Sequence, residues 1–217
     1  LILHSVSICA VQALGQGAAL YMAADVLHDV GIQSVGSLFS SIAMIVILAS
    51  APILTKKWDL VVIIRVCLAT GFVFYVGLLA YVFLAPTLIP MLYILWMGFA
   101  TALVTMSVQM QWGLVAESID YNEYITGKRN EGTIYGFFSL SRRVGSMIAS
   151  SLSVLLIAGI GYDPALTTAG LEQAAGTIAG IKWMVVGFPC VAAVCSFCCF
   201  TFIWNINSDV RAKMAAW

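Results

Sequence analysis

The sequence predicts an all-α membrane protein with six transmembrane helices. Hydrophobic residues make up 62% of the chain and charged residues only 9%. Mean hydropathy is +1.01. Soluble domains are about 45–50% apolar and about a quarter charged, so a water-soluble fold of this length has nowhere to hide so much apolar surface. The apolar runs are also continuous rather than alternating, which favours helices over a barrel. Formal net charge is zero, which gives no basis for a nucleic-acid partner. The bilayer is the expected surrounding.

A spanning helix needs about 20 apolar residues. Taken in order, segments 1–23, 35–54, 60–84, 88–116, 133–160 and 177–204 meet that length. The fourth and fifth are long enough to tilt or to project past the bilayer. Pro86 breaks the short turn after the third segment. Gly161-Tyr-Asp-Pro opens the connection before the last one with a turn signature. The chain starts inside an apolar helix, at Leu1, without a Met or a polar lead-in. Further residues are therefore expected upstream, with residues 1–217 forming the back part of a longer protein. All six cysteines lie in apolar segments and read as small membrane-helix residues.

Loop charge orients the segments. Lys56, Lys57, Arg65, Lys128, Arg129, Arg211 and Lys213 fall on one side; Lys182 alone falls on the other, with Asp25, Asp29, Asp163 and Glu172. The positive-inside rule places the first group, and the C-terminus, in the cytoplasm.

Polar residues inside the segments come next. Ser5, Cys9, Gln12 and Gln16 step by four, three and four, so they share one helix face. A stripe with two glutamines faces either a wet cavity or a partner helix. Thr101, Thr105, Val108 and Trp112 share a face of the fourth segment. They form either a sugar-stacking platform or plain packing with an interfacial tryptophan. Arg142 and Arg143 lie about ten residues into the fifth segment, roughly 15 Å deep. A mid-membrane arginine costs at least ~2.5–3.5 kcal/mol on insertion scales, so it must face the bundle or a wet cavity. Ser139 precedes Arg143 by one turn. The guanidinium serves either substrate recognition or a structural pair with a neighbouring helix. Ser141, Gly145, Ala149 and Ser153 form a small-residue ridge that lets a second helix approach closely.

Residues 117–132 (ESIDYNEYITGKRNEG) hold the densest charge in the chain. Glu117, Asp120, Glu123 and Arg129 form either an ionic gate at the cytoplasmic mouth or a solvated loop of weak surface pairs. A membrane-embedded enzyme would need clustered catalytic or metal ligands within the helices, and His4 and His28 form no such motif. No catalytic residue, metal site or cofactor is expected.

These residues also carry a resemblance. Gly113-Leu-Val-Ala-Glu-Ser-Ile-Asp-Tyr-Asn-Glu-Tyr and Thr126-Gly-Lys-Arg-Asn-Glu-Gly resemble the signature of the glycoside–pentoside–hexuronide:cation symporters. That is the melibiose-permease branch of the major facilitator superfamily. Tyr135-Gly-Phe-Phe-Ser-Leu-Ser-Arg-Arg-Val-Gly, Ile160-Gly-Tyr-Asp-Pro and Thr177-Ile-Ala-Gly-Ile-Lys continue it, over about residues 90–205. The resemblance implies the C-terminal half of a twelve-helix major facilitator fold, partnered by an N-terminal half. It implies a secondary transporter of a bacterial inner membrane that symports a sugar or glycoside with Na⁺ or H⁺. It places Arg143 at the position of a sugar-site lysine and Ser139 at that of a threonine one turn before it. Two departures leave the particular sugar open. Phe138 replaces a glutamine, and Val108 stands where the branch has a sugar-site tryptophan, with Trp112 one turn away. Gln12 and Gln16 would add to the cavity lining. The family's cytoplasmic lock maps onto Glu117, Asp120, Glu123 and Arg129, with Glu117 replacing an aspartate. The coupling-cation site would lie on the other half. The alternative is a complete six-helix channel or half-size carrier working as a homodimer.

Overall fold

The computed structural model describes residues 1–206 and 208–216. Among these, six helices are long and apolar enough to cross a membrane. The first is α1 (Ile2–Tyr21), extended by a π-helical turn at Met22–Val26. Then come α2 (Ile32–Thr55), α3 (Leu60–Leu84), α4 (Pro90–Thr126) and α5 (Glu131–Gly159). A short α6 (Pro164–Thr168) sits in the next connection. The sixth span joins α7 (Ala175–Lys182) to α8 (Phe188–Cys198), with π turns at Trp183–Gly187 and Cys199–Ile203. A terminal helix, α9 (Ser208–Ala216), follows.

The helix boundaries have local causes. Pro90 opens α4, where its missing N–H costs nothing. Gly127 closes it with φ +66°, a left-handed conformation that glycine adopts without strain, and its N–H donates to the Glu123 carbonyl at 2.8 Å. The side chain of Asp29 accepts from Ile32 N at the start of α2, and that of Asp163 accepts from Ala165 N at the start of α6. Glu131 opens α5, where a negative charge favours the helix N-terminus.

One expected boundary is wrong. Hydropathy ends the fourth segment at residue 116, but α4 runs ten residues further, to Thr126. Most of residues 117–132 is therefore helix, and the connection shrinks to residues 127–130. No glycine or proline interrupts the chain between Gly113 and Gly127, so the helix continues after the hydrocarbon has ended. At 37 residues α4 is about 55 Å long, well beyond a 30 Å apolar layer.

Packing centres on α1, α3, α4 and α8. Ile64, Leu68, Leu78, Leu114 and Phe200 are almost fully buried there. The expected ridge on α5 packs against α1. A Cβ added at Gly145 would stand 2.9 Å from the Val6 carbonyl oxygen and 3.2 Å from its Cα. Ser153 touches the space over Gly17 in the same seam. By contrast α2 exposes Leu38, Ile42, Ile45, Val46 and Ile53, as a lipid-facing helix does.

Arg65 illustrates how the interior is satisfied. It reaches across from α3 and donates through Nε (3.0 Å) and Nη2 to the Phe200 carbonyl. That carbonyl lies within the last four residues of the sixth span, where backbone acceptors lack helical partners.

Gly145→Leu should force α1 and α5 apart and cost roughly 1–3 kcal/mol, the usual range for overpacking. Gly136→Ala, with open space around it, should be neutral or slightly stabilising. Thermal unfolding of the detergent-solubilised protein compares the two. Equal melting temperatures would show that the seam is not close-packed.

Candidate functional site

A cavity of about 420 Å³ opens among α1, α2, α3, α4 and the sixth span. Its polar lining comes from Gln12 and Gln16 of α1, Gln33, Ser37 and Ser40 of α2, Tyr75 of α3, and Thr101 and Thr105 of α4. The α1 stripe thus has both fates. Ser5 is buried and Cys9 nearly so, while Gln12 and Gln16 reach the cavity. Gln12 also donates from Nε2 to Thr105 Oγ1 at 3.3 Å, and the Tyr75 and Thr101 hydroxyls share a 3.0 Å hydrogen bond. The cavity is an apolar pocket with a few convergent donors and acceptors, the usual make-up of a small-molecule site.

The remaining expected substrate residues stand elsewhere. Arg143 is exposed on α5, and Ser139 is half-buried one turn before it on the same helix. Neither borders the cavity. Trp112, 37% exposed, lies against α5, with its ring 5.1 Å from Phe138 and 5.7 Å from Tyr135, centroid to centroid. It holds Arg142, whose guanidinium carbon is 5.0 Å from the Trp112 ring centre. Arg142 is the neighbour that the sequence reading passed over for Arg143.

At the C-terminal end of α4 the charged residues divide into two groups. Arg129 pairs with Asp120 (3.0 Å), Glu123 (2.7 Å) and Glu131. These hydrogen bonds, Glu123 first, raise the Arg129 pKa, so its charge is fixed at any working pH. Glu117 joins a different group. It pairs with Arg211 of α9, which also pairs with Asp59 at the start of α3. The Glu117 contact is the main cause that raises the Arg211 pKa. Asp59, Glu117, Asp120, Glu123 and Arg211 all border a cleft of about 680 Å³. Three of these five, Glu117, Asp120 and Glu123, are gate residues expected from the sequence; Arg211 and Asp59 are not among the expected ones and come from distant parts of the chain.

The other face has its own clasp. Asp25, 5% exposed at the end of the first span, accepts from Tyr162 Oη (3.1 Å) and Thr167 Oγ1 (2.6 Å). Gln173 Nε2 donates to Thr167 Oγ1 (3.0 Å) and to the Asp163 carbonyl. The clasp ties the end of the first span to the α5–α7 connection. Burial raises the Tyr162 pKa, the Thr167 hydrogen bond opposes this, and the Asp25 charge adds to it.

The comparisons agree with this architecture. Residues 2–208 match the family described as MFS/sugar transport protein, and the chain belongs to that family. Its members here are transporters rather than enzymes. A glucuronide carrier protein homolog of Escherichia coli K12 is 34% identical over 101 residues, 46% of this chain and 20% of that protein. A Salmonella typhimurium protein provisionally named a 2,3-dihydroxypropane-1-sulfonate exporter is 30% identical over 105 residues, 48% of this chain and 22% of its own length. An E. coli K12 protein provisionally named a sulfoquinovose importer is 28% identical over 109 residues, 50% of this chain and 22% of its own length. The chain thus matches about a fifth of each relative's length. It is a multi-pass membrane protein of a transporter family.

Two outcomes follow. The Arg211 cluster is more buried than the Arg129 cluster (side-chain exposure 27% against 48%), so it is screened less by water and salt. Arg211→Gln removes both ion pairs and should speed hydrogen exchange in α9 by roughly fivefold, the effect of about 1 kcal/mol from partly exposed pairs. Arg129→Gln should leave α9 unchanged, and equal effects would contradict the division. On the other face, a raised tyrosine pKa gives a contribution that is complete below the unfolded value, about pH 10, and is lost as pH rises through the folded value. Protection of residues 161–176 from exchange should hold up to about pH 10 and fall above it. Tyr162→Phe should start lower and show no such fall, whereas a fall like the wild type's would exclude Tyr162 as its source.

Proposed function

We propose that this chain is the C-terminal six-helix half of a twelve-helix secondary transporter. The intact protein would symport a sugar-like substrate (a glycoside, pentoside or hexuronide) with Na⁺ or H⁺ by alternating access. The observation that carries the reading is the cavity lined by Gln12, Gln16, Tyr75, Thr101 and Thr105 inside a bundle of the MFS/sugar transport family. Hydroxyl and amide groups in an apolar pocket suit the hydroxyls and apolar ring faces of a sugar. Relatives named for a glucuronide, for sulfoquinovose and for a propane sulfonate make an anionic substrate the favoured kind.

In this reading Arg143, Ser139 and Trp112 face the other half across the central path and complete the substrate site from α5 and α4. The half facing them supplies the cation site, since the acidic groups of this chain lie near the helix ends. Glu117, Asp120, Glu123 and Arg129 close the cytoplasmic mouth. The protein sits in a bacterial inner membrane with its C-terminus in the cytoplasm, as the distribution of Lys and Arg favours.

Uptake of a hexuronide by the intact protein in proteoliposomes should depend on an imposed Na⁺ or pH gradient. Gln16→Leu should raise KM by roughly fivefold, the effect of about one lost hydrogen bond. Residues 1–217 reconstituted alone should give no uptake. Gradient-driven uptake by this piece alone would favour a homodimeric carrier and overturn the half-transporter reading.

A further inference from the structure

We infer that Arg142 is the charge-selecting residue of the substrate site and receives the carboxylate or sulfonate of an anionic sugar. The inference rests on the proposed function for its setting, and on the unmet charge of one side chain for its content.

The described arginines differ in how their charge is met. Arg65 donates to the Phe200 carbonyl, Arg129 faces three carboxylates, and Arg211 faces two. Neither Arg142 nor Arg143 has any of these, but Arg143 is exposed whereas Arg142 is half-buried. Its Nη1 is buried without a hydrogen-bond partner, and among the described residues no carboxylate lies within ion-pair distance of it. From α1 it is offered the Cys9 thiol and the His4 imidazole, neither of them a carboxylate. Both ring nitrogens of His4 are also buried and unpartnered.

The side chain is nevertheless held in place. Its guanidinium carbon lies 5.0 Å from the Trp112 ring centre and 5.9 Å from that of Phe138, within the range of a cation–π contact. Those two rings pack edge to face. The aromatic pair fixes the guanidinium plane but uses none of its N–H donors. An oriented guanidinium with an unpartnered Nη1 in a largely apolar surround suits a planar or tripodal oxyanion.

The position fits a substrate that also reaches the cavity. Cys9 beside Arg142 is three residues before Gln12, which lines the cavity, and Trp112 is two turns from Thr105, which lines it too. Cys9, Trp112 and Arg142 do not line the cavity themselves, so an anionic sugar that rests its ring among the hydroxyl and amide groups reaches past Cys9 with its acidic group to meet Arg142. The exposed face of Trp112 is free to stack on the apolar side of the ring. Arg143, by contrast, is exposed on α5 and has no aromatic cradle.

The test uses the full-length transporter, with methyl β-D-glucuronide and the matching neutral methyl β-D-glucoside as probes. Binding to purified protein and gradient-driven uptake are both measured. The wild type should prefer the glucuronide. Arg142→Met should weaken glucuronide binding by roughly tenfold or more, as expected for losing charge-assisted hydrogen bonds, and change glucoside binding by less than about twofold. Arg142→Lys keeps the charge but loses the paired donors, so it should recover part of the loss. It also serves as the folded comparison if Arg142→Met is unstable. Equal loss of both sugars would show that Arg142 supports the site's shape rather than receiving the anion, and would overturn the inference. So would no change for either sugar, or a wild type that binds neither or prefers the glucoside. If the wild type binds the glucuronide in an Arg142-dependent way but moves it under no cation gradient, the symport reading fails and the charge-selecting role stands. If it takes up the glucoside and ignores the glucuronide, the reverse holds.

Discussion

Inside a bilayer no water is available to complete a hydrogen bond, so each polar group must find its partner within the protein. The arrangement of this bundle follows from how that demand is met. Arg65 reaches the Phe200 carbonyl, Lys182 reaches the Val82 carbonyl at 2.9 Å, and Trp96 Nε1 reaches the Phe74 carbonyl at 3.0 Å. Each ties one span to another, so the requirement that removes an unpaired donor also fixes which helices adjoin. Among the described residues, His4, Ser5, Gln111, Arg142 and Ser196 each carry a buried polar atom without a partner. In a protein that moves a polar solute through the membrane, unmet polar atoms are where solute and water are expected to contribute.

The two ends of the bundle are held differently. Carboxylates and arginines dominate the α4 end, where Arg129 gathers charges from one helix–turn–helix and Arg211 gathers them from two distant segments. At the other end, hydroxyl and amide groups surround the buried carboxylate of Asp25. The cavity lies between these ends. In the half-transporter proposed above, rocking against the other half would load each end in turn, and the exposed ion pairs and the buried clasp would then resist opening differently.

Much of this was legible in the sequence, for identifiable reasons. Six spans follow from hydropathy because lipid selects against charge along about 20 residues. The Ser141–Gly145–Ala149–Ser153 ridge was legible because only small residues allow the approach seen between Gly145 and Val6. The end of α4 was not, because hydropathy reports the solvent and not the backbone; the Glu117–Thr126 stretch leaves the membrane without leaving the helix. Adjacent arginines on a helix point about 100° apart, and residue type alone does not say which of Arg142 and Arg143 meets the bundle. Arg211 and Asp25 were out of reach for another reason. Their partners lie 94 and more than 130 residues away along the chain, and only the packing of whole helices brings them together.

The proposed function makes the cavity lined by Gln12, Gln16, Thr101 and Thr105 part of the substrate's path. Its most direct test is a single cysteine at position 16 in the intact protein, with the native cysteines replaced, exposed to a membrane-impermeant thiol reagent. The account predicts labelling that a transported sugar slows and that a non-transported sugar does not. Labelling that ignores the transported sugar, or no labelling from either side of the membrane, would contradict it.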